Sequence, residues 1–110
     1  MFRLDPTEGS EQGGTRPIVI VSRNSINHNA IGNRSIVVMG VPTTDRENLE
    51  ELYPSHVELK KGIGGLTKDS VALCEQARAV SVDRLVRYMG KLPLEHLEKI
   101  EQALRNVMML

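Results

Sequence analysis

The sequence predicts a mainly β domain closed by one C-terminal helix. Up to Tyr88, short β-branched runs alternate with clusters of Gly, Pro, Asn, Asp and Ser, the pattern of many short strands joined by turns. After Pro93 the period changes, and Leu94, Leu97, Ile100, Leu104, Val107 and Met108 recur at three- and four-residue steps, as on an amphipathic helix. A length of 110 residues suits one domain over 1–110 with a single core, and the elements suggest a small barrel or curled sheet packed on one helix.

In order, residues 5–15 lack apolar periodicity and read as a loop whose paired glycines permit close backbone approach. Residues 17–22 are a strand buried on both faces, and residues 35–41 repeat its β-branched composition as a second central strand that Pro42 is expected to break. Between them lies an Asn-rich polar loop. Alternation over 55–59 predicts a half-exposed strand, and 60–68 a Gly-rich turn. Residues 70–74 and 77–81 form two short strands, or one strand interrupted near Glu75 and Gln76. Ser81 is placed to cap a helical turn through Leu85 that resumes toward Met89. Pro93 opens the final helix, whose apolar stripe is expected to cover the sheet.

Composition is 40% hydrophobic, 25% charged and 3% aromatic, with 14 basic against 14 acidic residues and a pI near 6.8. These values fit a soluble globular protein and remove bulk attraction to phosphate as an argument for nucleic acid. Phe2, Tyr53 and Tyr88 are too few for a base-stacking platform. Neutrality conceals segregation, however. Arg16, Arg23 and Arg34 stand without an acid in 15–40; five acids face Arg46 alone in 41–59; bases again outnumber acids in 60–91. A lone Cys74 forms no internal disulfide and suits a reducing cytoplasm, and no run has the length of a signal peptide or a membrane span.

No metal site is expected, because carboxylates, histidines and the cysteine do not recur at ligand spacing. His28, His56 and His96 titrate near neutrality but join no catalytic constellation, and Cys74 reads as a small buried thiol. The informative feature is Arg16, which enters a buried strand directly from the glycine loop. Such an arginine has a rigid base and an exposed fork of donors suited to a phosphate oxygen.

Gly9-Ser10-Glu11-Gln12 followed by Gly14-Thr15-Arg16-Pro17 and a β-branched strand resembles the MazF/PemK (Kid) family of toxin endoribonucleases. The resemblance continues through Asp5-Pro6-Thr7, Val41-Pro42-Thr43-Thr44, Pro54-Ser55-His56-Val57-Glu58-Leu59 and Asp69-Ser70-Val71 with Glu75-Gln76-Ala77-Arg78, and so runs essentially end to end. It implies a small SH3-like barrel of the CcdB/PemK toxin superfamily, a homodimer, and metal-independent, cofactor-free cleavage of single-stranded mRNA at a short sequence. It also implies a cognate, MazE-like antitoxin and no membrane partner. The family's functional arginine falls on Arg16, its threonine on Thr44 with Thr43 adjacent, and its loop acid on Glu11. Ser10, Gln12, Glu75 and Gln76 fall on groove positions, and the amides of Asn24 and Asn27 are placed to read base edges. Relative to the family, residues 1–4 supply only the end of the first strand, which is expected to shorten one edge of the barrel.

Two other readings compete. A CcdB-like toxin would share the fold and bind DNA gyrase through its C-terminal end, but residues 106–110 carry no sign of that contact, and Arg16 in its loop favours the nuclease. An inactive barrel would act only as a binding module.

Overall fold

A nine-residue strand, β3 (Val37–Asp45), organises the computed structural model, which describes residues 2–4, 16–21, 37–81 and 84–109. On one side β3 pairs antiparallel with β2 (Arg16–Ile20). On the other its first half pairs with β6 (Arg78–Ser81) and its last three residues with β5 (Ser70–Leu73). A strand shared by two ladders in this way turns the corner of a sheet. β4 (His56–Leu59) extends the sheet beyond β5, while β1 (Phe2–Leu4) joins β2 to β7 (Leu85–Tyr88). The C-terminal helix, α1 (Leu94–Met108), the one α-helix among the described residues, packs on β4 and on the turn between β5 and β6. This mainly antiparallel sheet with one C-terminal helix is the fold class expected.

Several elements depart from expectation. Pro42 does not end β3, because it and Val41 occupy the gap between the residues paired with β6 and those paired with β5. Its missing N–H therefore removes no rung on that edge. The segment near Tyr88 is a strand rather than a resumed helix, its pairing supplied by the far end of the chain through Phe2↔Tyr88 and Leu4↔Leu85. Short β1 lies between β2 and β7, so its length bears on the interior of the sheet and not on an edge. Residues 70–81 resolve into two strands separated by a 3-10 turn, Cys74–Gln76, which takes Cys74 out of the strand.

Both faces of β2 are buried, as its composition requires. Val19 joins Val41, Val57, Leu59, Leu66, Ala72, Cys74 and Leu92 in a core covered by Ile100 and Ala103 of α1. Ile18 turns the other way, onto Val80. Gly40 stands where β2, β3 and β6 meet, paired with both Ile20 and Arg78. A Cβ added there would lie 2.6 Å from Ile18 Cδ1, so only glycine lets the three strands close on the buried isoleucine. The helical stripe is covered only at its centre: Ile100 is buried and Leu104 half-buried, whereas Leu94, Leu97, Val107 and Met108 are exposed. The contacts of α1 fall chiefly on β4 and the 3-10 turn Cys74–Gln76, and the apolar residues toward its two ends are left exposed.

Candidate active site

Arg16 is the first residue of β2; the β2–β3 ladder runs Ile20↔Gly40, Val19↔Val41, Ile18↔Pro42, and beyond it the Thr43 hydroxyl bonds the Pro17 carbonyl, so that Arg16 and Thr44 are the next residues along the two neighbouring strands. Leu4 flanks Arg16 on its other edge. Arg16 and Thr44 are both half-buried.

The two adjacent threonines have different jobs. Thr43 is 5% exposed, and its hydroxyl donates to the carbonyl of Pro17 at 2.8 Å, tying β3 to β2 beside a proline that has no N–H to offer. Its hydroxyl is committed to the framework. Thr44, on the opposite face, accepts a hydrogen bond from Asn48 Nδ2 at 3.0 Å. Beyond it β3 runs into a 3-10 turn, Arg46–Asn48, whose first residue bonds Asp69 O through its N–H and Leu49 O through its guanidinium. Arg46 also meets Glu58 at 3.6 Å. A mixed-charge cleft of about 530 Å³ adjoins Thr44 here, lined by Asp45, Arg46, Glu47, Lys61, Thr67, Lys68 and Asp69. The acidic stretch of the sequence is thus partly neutralised, with Lys68 on Asp45 at 3.6 Å and Lys60 on Glu58 at 3.4 Å.

Glu75 and Gln76 lie on the turn spanning the Val41–Pro42 gap, near Thr44 along β3. Both are exposed. Glu75 is held by His56, whose Nε2 lies 3.5 Å from its carboxylate and whose Nδ1 accepts the N–H of Tyr53 at 3.1 Å. One ring nitrogen accepting fixes the other as the donor, and the imidazole bridges the loop before β4 to the turn. The bond from Cys74 N–H to Ser55 O at 3.0 Å reinforces that bridge. His56 therefore positions the turn, a role that sequence spacing does not reveal because residues 56 and 75 meet only through the β4–β5 pairing. His96 lies on α1, in a separate cleft of about 490 Å³ between helix and β4. Among the described residues no three of His, Cys, Asp and Glu converge as metal ligands. Ser10, Glu11, Gln12, Asn24, Asn27 and His28 lie outside the described residues.

Burial, reinforced by Glu75, raises the Cys74 thiol to about 11 from 9.0. At neutral pH it is a protonated packing group, not a nucleophile. Because the folded state holds this proton more tightly than the unfolded chain, stability due to it is complete below about pH 9 and is lost as pH rises toward about 11. Urea unfolding of Cys74→Ala across that range is expected to show a smaller alkaline decline than the parent; an identical decline would assign it to other groups.

The comparisons with known proteins extend over almost the whole chain. The family described as PemK-like, MazF-like toxin of type II toxin-antitoxin system matches residues 1–108. Endoribonuclease MazF9 of Mycobacterium tuberculosis is 35% identical over 102 residues, covering 93% of this chain and 85% of the relative. Endoribonuclease EndoA of Bacillus subtilis is 34% identical over 102 residues, covering 93% and 83%. Among solved structures, an endoribonuclease in complex with its cognate antitoxin from a mycobacterial species superposes with a TM-score of 0.74 at 23% identity, over 99% of this chain and 90% of that one. MazF (Form-I) from Deinococcus radiodurans gives 0.73 at 23% identity, over 99% and 92%. At these identities the structures speak to the fold. Among the described residues no helix is long and apolar enough to cross a membrane.

Proposed function

Because the chain belongs to the PemK-like, MazF-like toxins of type II toxin–antitoxin systems, we propose that it is an endoribonuclease that cuts single-stranded mRNA at a short sequence, with Arg16 and Thr44 holding the scissile phosphate. The observation that carries the assignment is the placement of Arg16 and Thr44 on neighbouring strands that the Thr43–Pro17 bond joins beside them.

The chemistry follows from what RNA supplies. The ribose 2′-hydroxyl attacks the adjacent phosphorus and loses its proton to a base, for which we assign Glu11. As the O2′–P bond forms, the phosphoryl oxygens gain negative charge. Arg16 meets that charge with paired N–H donors, and Thr44 adds a hydroxyl donor from the neighbouring strand. The P–O5′ bond then breaks, the departing oxygen takes up a proton, and the products are a 2′,3′-cyclic phosphate and a 5′-hydroxyl. Charge stabilisation comes from side chains, so this route needs no metal.

Glu75 and Gln76, on a turn fixed by His56, supply exposed polar groups for neighbouring nucleotides. Ser10, Gln12, Asn24 and Asn27 complete base reading in this proposal. The uncovered apolar residues of α1, Leu94, Leu97 and Met108, support a homodimer. An acidic antitoxin segment over Arg16 would neutralise the enzyme. A buried free thiol and an mRNA substrate support a cytoplasmic location.

The test is to incubate purified protein with unstructured transcripts in EDTA and sequence the new 5′ ends. Cuts sharing a short sequence and bearing 5′-hydroxyls are expected. Intact RNA, or 5′-phosphate ends, would overturn the proposal.

A further inference from the structure

We infer that Asn48 is a positioning residue for the cleavage reaction, acting through the hydroxyl of Thr44. The inference rests on the assignment of Thr44 to the scissile phosphate.

A threonine hydroxyl has one proton to give and two lone pairs to receive. Which way that proton points decides whether Thr44 helps or opposes an anionic transition state, since a lone pair aimed at a phosphoryl oxygen repels it. Asn48 Nδ2 donates to Thr44 Oγ1 at 3.0 Å, which occupies one lone pair and turns the O–H away from the amide. Among the described residues Thr44 has no acceptor for that proton, so it remains available on a threonine that is half-exposed and lies on the strand next to that of Arg16. An accepted hydrogen bond also polarises the hydroxyl and makes it a stronger donor.

The amide is not a chance neighbour. β3 continues to Asp45, and the 3-10 turn then folds Asn48 back over Thr44, four residues earlier. That turn is pinned by Arg46, whose N–H donates to Asp69 O at 2.8 Å and whose Nη1 donates to Leu49 O at 2.7 Å. Asn48 itself is exposed and contributes nothing to the core, so its side chain can be changed without unfolding the protein.

Asparagine is chemically required for this role. Aspartate has the same shape and is as well tolerated in a turn, but it only accepts hydrogen bonds and would draw the Thr44 proton to itself. A purely structural role for residue 48 would survive Asn48→Asp, whereas a donor role would not.

The experiment is steady-state cleavage of an oligoribonucleotide carrying one mapped cut site, comparing Asn48→Ala, Asn48→Asp, Thr44→Ala and the Asn48→Ala/Thr44→Ala double variant. Loss of one neutral hydrogen bond is expected to lower kcat about five- to tenfold in Asn48→Ala, with KM within about twofold. Asn48→Asp should fall at least as far, and the double variant should match Thr44→Ala, because the amide acts only through the hydroxyl. Unchanged thermal midpoints will show that folding is intact. If Asn48→Asp keeps the parental kcat, or if Asn48→Ala slows Thr44→Ala further by its own full factor, the inference fails while the nuclease reading stands. If Thr44→Ala cuts at the parental rate, the Thr44 assignment falls and takes the inference with it; loss of cleavage in Arg16→Ala would still identify the enzyme.

Discussion

Replacing Arg16 by alanine is expected to lower the single-turnover cleavage rate by about a hundredfold or more, the usual cost of removing a donor aimed at charge that develops in a transition state. The side chain begins β2 and is half-buried, so the loss should come without unfolding. Arg16→Lys is expected to recover only part of the rate, because a lysine restores the charge but not the two parallel N–H bonds that match a phosphate. Stopped cleavage of an oligoribonucleotide by the three proteins, with thermal unfolding as control, separates the cases. Full activity in Arg16→Ala would remove Arg16 from the chemistry.

The largest stability effect is expected at Ile100. It is 1% exposed and sits in the core with Val57, Leu59 and Cys74, so Ile100→Ala removes buried methyl groups and leaves a cavity at the only place where α1 is fully seated. A loss of about 2–5 kcal/mol is expected in urea unfolding. Leu94→Ala, at a position 71% exposed, should change stability by less than about 0.5 kcal/mol. Equal losses at the two sites would mean that the whole apolar stripe is covered, contrary to the helix seen here.

Those two positions also show what a sequence can and cannot disclose. The periodicity that places Ile100 on a helix places Leu94 and Val107 on it equally well; how much of the stripe is buried depends on the width of the sheet beneath, which no local pattern encodes. Arg16 was legible because its loop and strand are contiguous. The division of labour between Thr43 and Thr44 was not, since it follows from the register against β2 across a long connection, and a shift of one residue would exchange them. Asn48 escaped notice for a related reason: four residues past Thr44 is remote along an extended strand and adjacent only once the chain folds into a turn. The strand at Leu85–Tyr88 read as helical because its partner is at the opposite end of the chain.

That last pairing governs the order in which the molecule can assemble. β1 is three residues long and has β2 on one side and β7 on the other, so the sheet is complete only when the two ends of the chain have been brought together. Contacts that close so long a loop are slow to form, because chain entropy is lost before pairing repays it. Arg16 is itself paired with Leu4 of β1, and the strand that begins with Arg16 therefore acquires its last support late. In a protein made vectorially from its first residue, residues 85–88 must leave the ribosome before β1 is flanked on both sides.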